Sequence, residues 1–282
     1  MHALLVALLL MFGSPARADD AELKLCGCSG RVVSMMQCIG SGSASNSTRF
    51  LINLTASLNK FTSIWIIVGE CSKIRGKIME KSPVTYFYTA NSQFAYLGHQ
   101  EFIRLARASG RSVIHKPFRL MKCLESIGYH PLEERTSALL EYQFGRSPHR
   151  WAEYRSVLMP AEIPSSHDDG AELSDLVLIS AVQEGIDVDY LSSVFMHNHW
   201  INNVSLNDEK SVREILQAQG LNANNLLRLA KTKKALTVYE ENTKEAINLP
   251  VFGSPTYAVD GDMFYGQDNL ILVARALEEP FK

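Results

Sequence analysis

A few residues stand where side chains at the ends of predicted elements could act on a bound molecule. Ser92 follows a predicted strand, Val84–Tyr88, and precedes a predicted helix, Phe94–Ala108. A hydroxyl there sits among unpaired amide donors at the positive end of the helix, where an anion, including a ligand thiolate, is stabilised. The same place suits a helix cap, and local sequence alone favours the cap. Pro255 stands between Ser254 and a strand starting at Thr256. Proline has no N–H to give a ladder, so it is tolerated there. A cis bond would expose the backbone of Ser254 to an extended peptide-like ligand, whereas a trans bond would merely end a loop. Both readings stay open. Asp268 lies in the first turn of the last predicted helix, where its charge suits the helix end and can also receive a ligand ammonium. Lys116, beside Pro117-Phe118, falls near the expected active edge. Trp151 and Arg155, four apart, share a helix face and either line a pocket or pack. Lys116, Trp151 and Arg155 are the substrate-side candidates, and an anionic substrate would suit the two cations.

Other chemistries find little support. There is no H-E-x-x-H set, no G-x-S-x-G elbow and no phosphate loop. His197 and His199 flank Asn198 and would point to different faces of a helix. Cys26, Cys28, Cys38 and Cys71 lie in the first 80 residues, and only Cys123 follows. Their spacing matches neither C-x-x-C nor a standard zinc pattern, so no metal is expected. Disulfide exchange by the main domain is the weakest enzyme reading.

These residues need elements to position them. Val84–Tyr88, Phe94–Ala108 and Ser112–Phe118 read as a βαβ unit with parallel strands, and Gly110 closes the helix. Helical patterns follow over Glu133–Arg146 and Leu173–Gln183. Further helices start near Asp187, Asp208 and Asn222, and the last runs over Thr232–Ala246. Asn and Asp supply cap oxygens at several of these starts. Thr256–Val259 and Met263–Phe264 flank Asp260-Gly261-Asp262, a hairpin signal, and Leu270–Leu277 is a final helix. The fold class is α/β: a thioredoxin-like sheet over residues 81–282, with an all-helical insertion at about 124–246 between N-terminal βαβ and C-terminal ββα units.

The chain has 282 residues, 46% apolar and 21% charged, with a net charge of −2. That charge argues against a general nucleic-acid binder. Residues 1–18 read as a leader, with apolar Ala3–Phe12 and the small-x-small pattern Ala16-Arg17-Ala18. Residues 19–80 are poorly patterned. Gly40–Thr48 resembles a linker, Phe61–Val68 reads as one strand, and Leu51–Leu58 is of mixed character; neither of the last two has an obvious partner. Met79 is an alternative start. A genuine leader implies an exported or periplasmic protein, whereas a start at Met79 implies a cytoplasmic one. Nothing in the remaining chain reads as a membrane span.

Three segments carry a family resemblance. The first is Tyr86-Phe87 through Ser92-Gln93-Phe94-Ala95-Tyr96-Leu97. The second is Lys116-Pro117-Phe118. The third runs from Val251-Phe252-Gly253-Ser254-Pro255-Thr256 through Val259-Asp260-Gly261 to Phe264-Tyr265-Gly266-Gln267-Asp268. In order and separation across about 200 residues they resemble the 2-hydroxychromene-2-carboxylate isomerase family. That family is close to the kappa-class glutathione transferases, in the disulfide-oxidoreductase branch of the thioredoxin-like fold.

The resemblance implies a glutathione-dependent isomerase in aromatic compound catabolism. Ser92 would hydrogen-bond the glutathione sulfur and favour its thiolate. Ser254, beside a cis Pro255, would pair with the glutathione backbone, and Asp268 would hold its γ-glutamyl end. The thiolate would add reversibly to an aromatic, acidic substrate. A transferase conjugating an electrophile and a non-enzymatic thioredoxin-like binding module are the alternatives, and a homodimer is left open. Four positions depart from the family pattern: Gln93, Glu125, Tyr129 and Asn269. The last three are expected to face the substrate.

Overall fold

The computed structural model describes residues 51–54, 64–67, 81–249 and 251–282, and the chain divides after Met79 into two units. In the first unit, β1 (Leu51–Leu54) pairs antiparallel with β2 (Ile64–Ile67). The two segments that lack an obvious partner in the sequence are therefore partners of each other. The expected leader, the Gly40–Thr48 tract and the four N-terminal cysteines lie outside the described residues.

In the second unit, β3 (Val84–Tyr88) is the strand from which the layers are built. Val84, Tyr86, Phe87 and Tyr88 are all fully buried, so both faces of the strand are covered. β4 (Val113–Pro117) runs parallel to β3 on one side. β5 (Thr256–Val259) runs antiparallel on the other and is followed by β6 (Asp262–Tyr265). The β5–β6 turn uses Asp260 and Gly261, both with positive φ (52° and 94°), which is what an Asp-Gly hairpin turn requires. Arg111 donates to both carboxylate oxygens of Asp260, at 2.7 and 2.6 Å, and so ties this turn to the residues leading into β4.

Alternation along β3 separates the two sides of the sheet. Tyr86 stacks on Tyr88 (4.2 Å between centroids) and Tyr257 (5.4 Å), and meets Phe102 of α1 (Gln93–Ala108) at 4.7 Å. Phe87 points the other way, into a smaller cluster with Phe118, Cys123, Ala246 and Val251. That cluster is closed by α2 (Leu120–Ser126), an unforeseen helix, and by α9 (Lys233–Asn248).

The helical insertion forms as its caps predict. Asp187, Asp208 and Asn222 accept hydrogen bonds at the starts of α6 (Val188–Asn202), α7 (Glu209–Ala218) and α8 (Ala223–Ala230), and Thr232, a start to which the sequence assigned no cap, does the same for α9. α5 (Glu172–Gln183) lies earlier in the chain and is buried along most of its length. The helix expected over Glu133–Arg146 differs. α3 (Ser137–Leu140) passes through a π-helical stretch, Glu141–Arg146, directly into α4 (Ser147–Arg155). The wider turn lets the rod continue past Pro148, which has no N–H to give a regular helical ladder. The chain ends in α10 (Leu270–Glu278). The order βαβ, helices, ββα is the thioredoxin-like arrangement with its helical insertion. No described helix is long and apolar enough to cross a membrane.

Candidate functional site

Two clefts border α1, and the residues singled out in the sequence are divided between them. The first, of about 590 Å³, is lined by Ser92, Gln93 and Phe94 at the start of α1 and by Gly253 and Ser254 before β5. The insertion supplies Gln143, Phe144, His167 and Trp200 to its wall.

Ser92 is the cap that local sequence favours: its Oγ accepts a hydrogen bond from the Ala95 N–H at 3.2 Å. The same hydroxyl donates to the backbone carbonyl of Ser254 at 3.0 Å. The N–H groups of Gln93 and Phe94 make no hydrogen bond among the described residues, so donors at the positive end of α1 remain available. Ser254 Oγ accepts from the Thr89 N–H at 3.2 Å. The Ser254–Pro255 peptide is cis, the conformation that the sequence left open, and the Pro255 carbonyl accepts from the Gly266 N–H at 2.9 Å.

Beneath this loop lies Asp175 of α5, fully buried and absent from the sequence-derived candidates. Its Oδ1 accepts from the Ala90 N–H (3.0 Å), and its Oδ2 accepts from the hydroxyls of Thr89 (2.8 Å) and Tyr239 (3.1 Å). Burial pushes its carboxyl up to about 7, against the lowering effect of those three bonds. Its only trace in the sequence is an acid set inside the apolar run Leu173–Ile179.

The cations of this cleft are Arg119 and Lys122, not those expected. Arg119 pairs bidentately with Glu172, donates to Glu240 at 3.0 Å and lies 4.8 Å from the centre of the Tyr239 ring; Lys122 also pairs with Glu240, at 3.0 Å. Lys116 is elsewhere. It faces Phe87 across the β3–β4 register, pairs with Glu245 of α9 and lies 5.7 Å from the Phe87 ring centre. Strand alternation sends it to the α9 side of the sheet.

Trp151 and Arg155 line the second cleft, of about 1020 Å³, which runs along α1 past Leu97, Glu101 and Arg104. The Arg155 guanidinium lies 5.2 Å from the Trp151 ring centre and donates to the Gln267 carbonyl at 2.7 Å. Burial lowers its pKa from the usual arginine value. The continuous α3–α4 rod explains the displacement: its early residues Gln143 and Phe144 reach the Ser92 cleft, and its later ones have passed beyond it. Asp268 also lines this second cleft, exposed, with Oδ1 close against Gly266. Thus Ser92 and Ser254 are brought together, with Pro255 behind them, while Lys116, Trp151, Arg155 and Asp268 stand outside their cleft. Of the positions expected to face substrate, Tyr129 lines the Ser92 cleft and Glu125 and Asn269 do not.

Among the described residues, no cluster of three or more His, Cys, Asp or Glu side chains is arranged to hold a metal. Cys123 is fully buried, and its thiol donates to the Val251 carbonyl at 3.1 Å.

Known proteins share this architecture. The chain is 23% identical over 189 residues to 2-hydroxychromene-2-carboxylate isomerase of Sphingobium xenophagum, covering 66% of this chain and 93% of that protein. It is 22% identical over 195 residues to the isomerase of the same name from Pseudomonas putida, covering 69% and 93%. A solved structure of a 2-hydroxychromene-2-carboxylate isomerase superposes with a TM-score of 0.60 at 22% identity, over 69% of this chain and 94% of that one. Residues 83–278 match the family model described as the DSBA-like thioredoxin domain. The match takes in the sheet, the insertion and both sides of the Ser92 cleft, and the chain belongs to the DSBA-like thioredoxin domain family, on the branch that includes the 2-hydroxychromene-2-carboxylate isomerases.

Proposed function

We propose that the chain is a glutathione-dependent isomerase acting on an aromatic, acidic substrate of the 2-hydroxychromene-2-carboxylate type. The observation that carries this reading is the Ser92 hydroxyl at the open start of α1, facing the Ser254 backbone in one cleft. The names of the curated relatives supply the reaction class.

The donor set fits glutathione. A thiolate is best held by O–H and N–H donors aimed at one point in a sheltered place, and Ser92 with the Gln93 and Phe94 amides forms such a set. Ser254 would offer its backbone to the cysteinyl unit. Ser92 has a single hydroxyl proton, so to donate to the sulfur it would turn away from the Ser254 carbonyl, which would then be free to accept from the ligand's backbone. Asp268 would receive the γ-glutamyl ammonium. Glutathione, when bound, would supply a nucleophilic sulfur that adds to the substrate and leaves again.

The chain's own groups do the rest. Arg119 and Lys122, rather than Lys116 and Arg155, would draw a substrate carboxylate into the cleft. Phe94, Phe144 and Trp200 would provide apolar surface for an aromatic ring. Asp175 would hold the Thr89–Ala90 turn, and through it the position of Ser92.

The test is turnover of 2-hydroxychromene-2-carboxylate with glutathione present and absent, with total glutathione measured throughout. Isomerisation that requires glutathione without consuming it is the expected result. A stable conjugate seen by mass spectrometry would instead mark a transferase. Absence of glutathione binding by calorimetry, with the fold intact, would leave a binding module.

A further inference from the structure

A histidine in the wall of the Ser92 cleft, with a buried histidine paired to it, has no part in the reading above. His199 of α6 is fully buried, and His167, in a short turn before α5, lines the cleft. His199 Nδ1 lies 3.1 Å from the Val204 carbonyl oxygen, and His199 Nε2 lies 2.9 Å from His167 Nδ1. These contacts fix the protons. A carbonyl can only accept, so His199 carries its proton on Nδ1. Burial lowers the His199 pKa to about 4, which keeps the ring neutral and its Nε2 a bare acceptor. His167 Nδ1 must then donate, and in neutral His167 the basic lone pair is on Nε2. That atom makes no hydrogen bond among the described residues.

The arrangement is held from several sides. Asn203, just past the end of α6, accepts from the Ser166 N–H and hydroxyl, both at 3.2 Å, and donates to Ser165 Oγ at 2.8 Å. The turn carrying His167 is thereby fastened to the helix carrying His199. Trp200 lies 5.3 Å from each imidazole, centre to centre, and packs 6.3 Å from Tyr96, one turn beyond Ser92. The charged groups acting on the pair are Asp168 and Asp169 of its own turn, and Glu172 and Arg119 line the same cleft.

Resting on the glutathione reading, the geometry points to His167 Nε2 as the general acid–base group for the substrate's oxygen atoms, with His199 as its positioning residue. The probe substrate is a cyclic hemiketal, and its ring must open before a double bond can turn. In opening, the hemiketal O–H bond breaks as Nε2–H forms, and that oxygen's electron pair makes the carbonyl. The ring C–O bond breaks, its pair goes to the aryl oxygen, and Nε2–H delivers the proton there. One proton moves between two oxygens and His167 is regenerated. A donor Nδ1–H held by His199 suits this cycle, because His167 can gain and lose a proton at Nε2 without breaking the pair.

Two measurements on the full chain test the assignment. Long-range proton–nitrogen NMR at pH 8 should show both His167 and His199 as Nδ1–H tautomers; an Nε2–H tautomer at His167 would overturn the arrangement. Turnover of 2-hydroxychromene-2-carboxylate with glutathione should fall by about a hundredfold or more in His167→Gln, with glutathione affinity unchanged and the acidic limb of the pH profile lost. His199→Ala should lose about tenfold and shift that limb, and His199→Gln, which can still accept from Nδ1–H, should recover most of the rate. A wild type that turns over while His167→Gln is equally fast, with the same pH profile, overturns the role of His167 and leaves the glutathione reading standing. A folded wild type inert with glutathione overturns that reading, and with it any part for His167 in the reaction.

Discussion

The hydroxyl of Ser92 donates to the backbone carbonyl of Ser254 across 3.0 Å, so the start of α1 is latched to the loop before β5 by the same side chain that caps the helix. These residues are 162 positions apart in the chain. The latch brings an O–H donor, open amides and a peptide backbone to one point, and it leads directly to a test.

Ser92→Ala should cost about 1 kcal/mol through the cap and about 1 kcal/mol more through the latch, read as a lower melting temperature. If the hydroxyl turns from Ser254 to the sulfur when glutathione binds, the variant should raise the pKa of the bound thiol and slow turnover roughly ten- to hundredfold. Thiolate absorbance titrated on both complexes separates the two roles. A lower melting temperature with an unchanged thiol pKa would leave Ser92 as a structural cap and latch.

Asp175 should give stability a pH dependence of definite sign. Its carboxyl titrates near 7 in the fold, against an ordinary value of 3.8, because burial disfavours the charge. Between roughly pH 4 and 7 the unfolded chain gives up a proton that the folded chain keeps, so this group makes the fold less stable as pH rises across that window. The full effect is on the order of 4 kcal/mol. Asp175→Asn should flatten that part of the curve, as followed by urea unfolding at a series of pH values. Parallel curves for the two proteins would show that Asp175 is ionised throughout.

Arg119→Gln should raise KM for an acidic substrate several-fold more than for its methyl ester, because Arg119 lines the Ser92 cleft. Lys116→Gln should leave both unchanged, since its ammonium pairs with Glu245 on the α9 side of the sheet. Steady-state kinetics on the acid and ester check this, and an equal effect of the two variants would remove charge as the basis of substrate capture.

Cys123 should be unreactive in the native protein. Burial raises its thiol pKa and the Val251 carbonyl accepts its S–H. Comparison of wild type with Cys123→Ser in a thiol-counting assay should show no difference under native conditions and a difference of one thiol in denaturant. Native labelling of Cys123 would indicate an opening of the small core around Phe87.

Sequence alone determined the layered architecture of this protein, because its signals are local. Strand alternation at Val84–Tyr88, the Asp260-Gly261 turn and the caps at Asp187, Asp208 and Asn222 each depend on neighbours a few residues away. The place of Ser92 at a helix start and of Pro255 at a strand start was legible for the same reason. Which side chains share the cleft with Ser92 was decided only by tertiary structure. Lys116 is adjacent in sequence to the right segment, but the two-residue period of a strand turned it to the opposite face. Trp151 and Arg155 share a face as their spacing implies, but the π-helical stretch before α4 set where that face points. Asp175 and the His167–His199 pair gave almost no sequence signal, because buried polar groups are defined by partners 32 to 86 positions distant and not by any local pattern. Local physical chemistry writes the elements into the sequence; the convergence of polar groups at the cleft exists only once the packed core forces distant segments together.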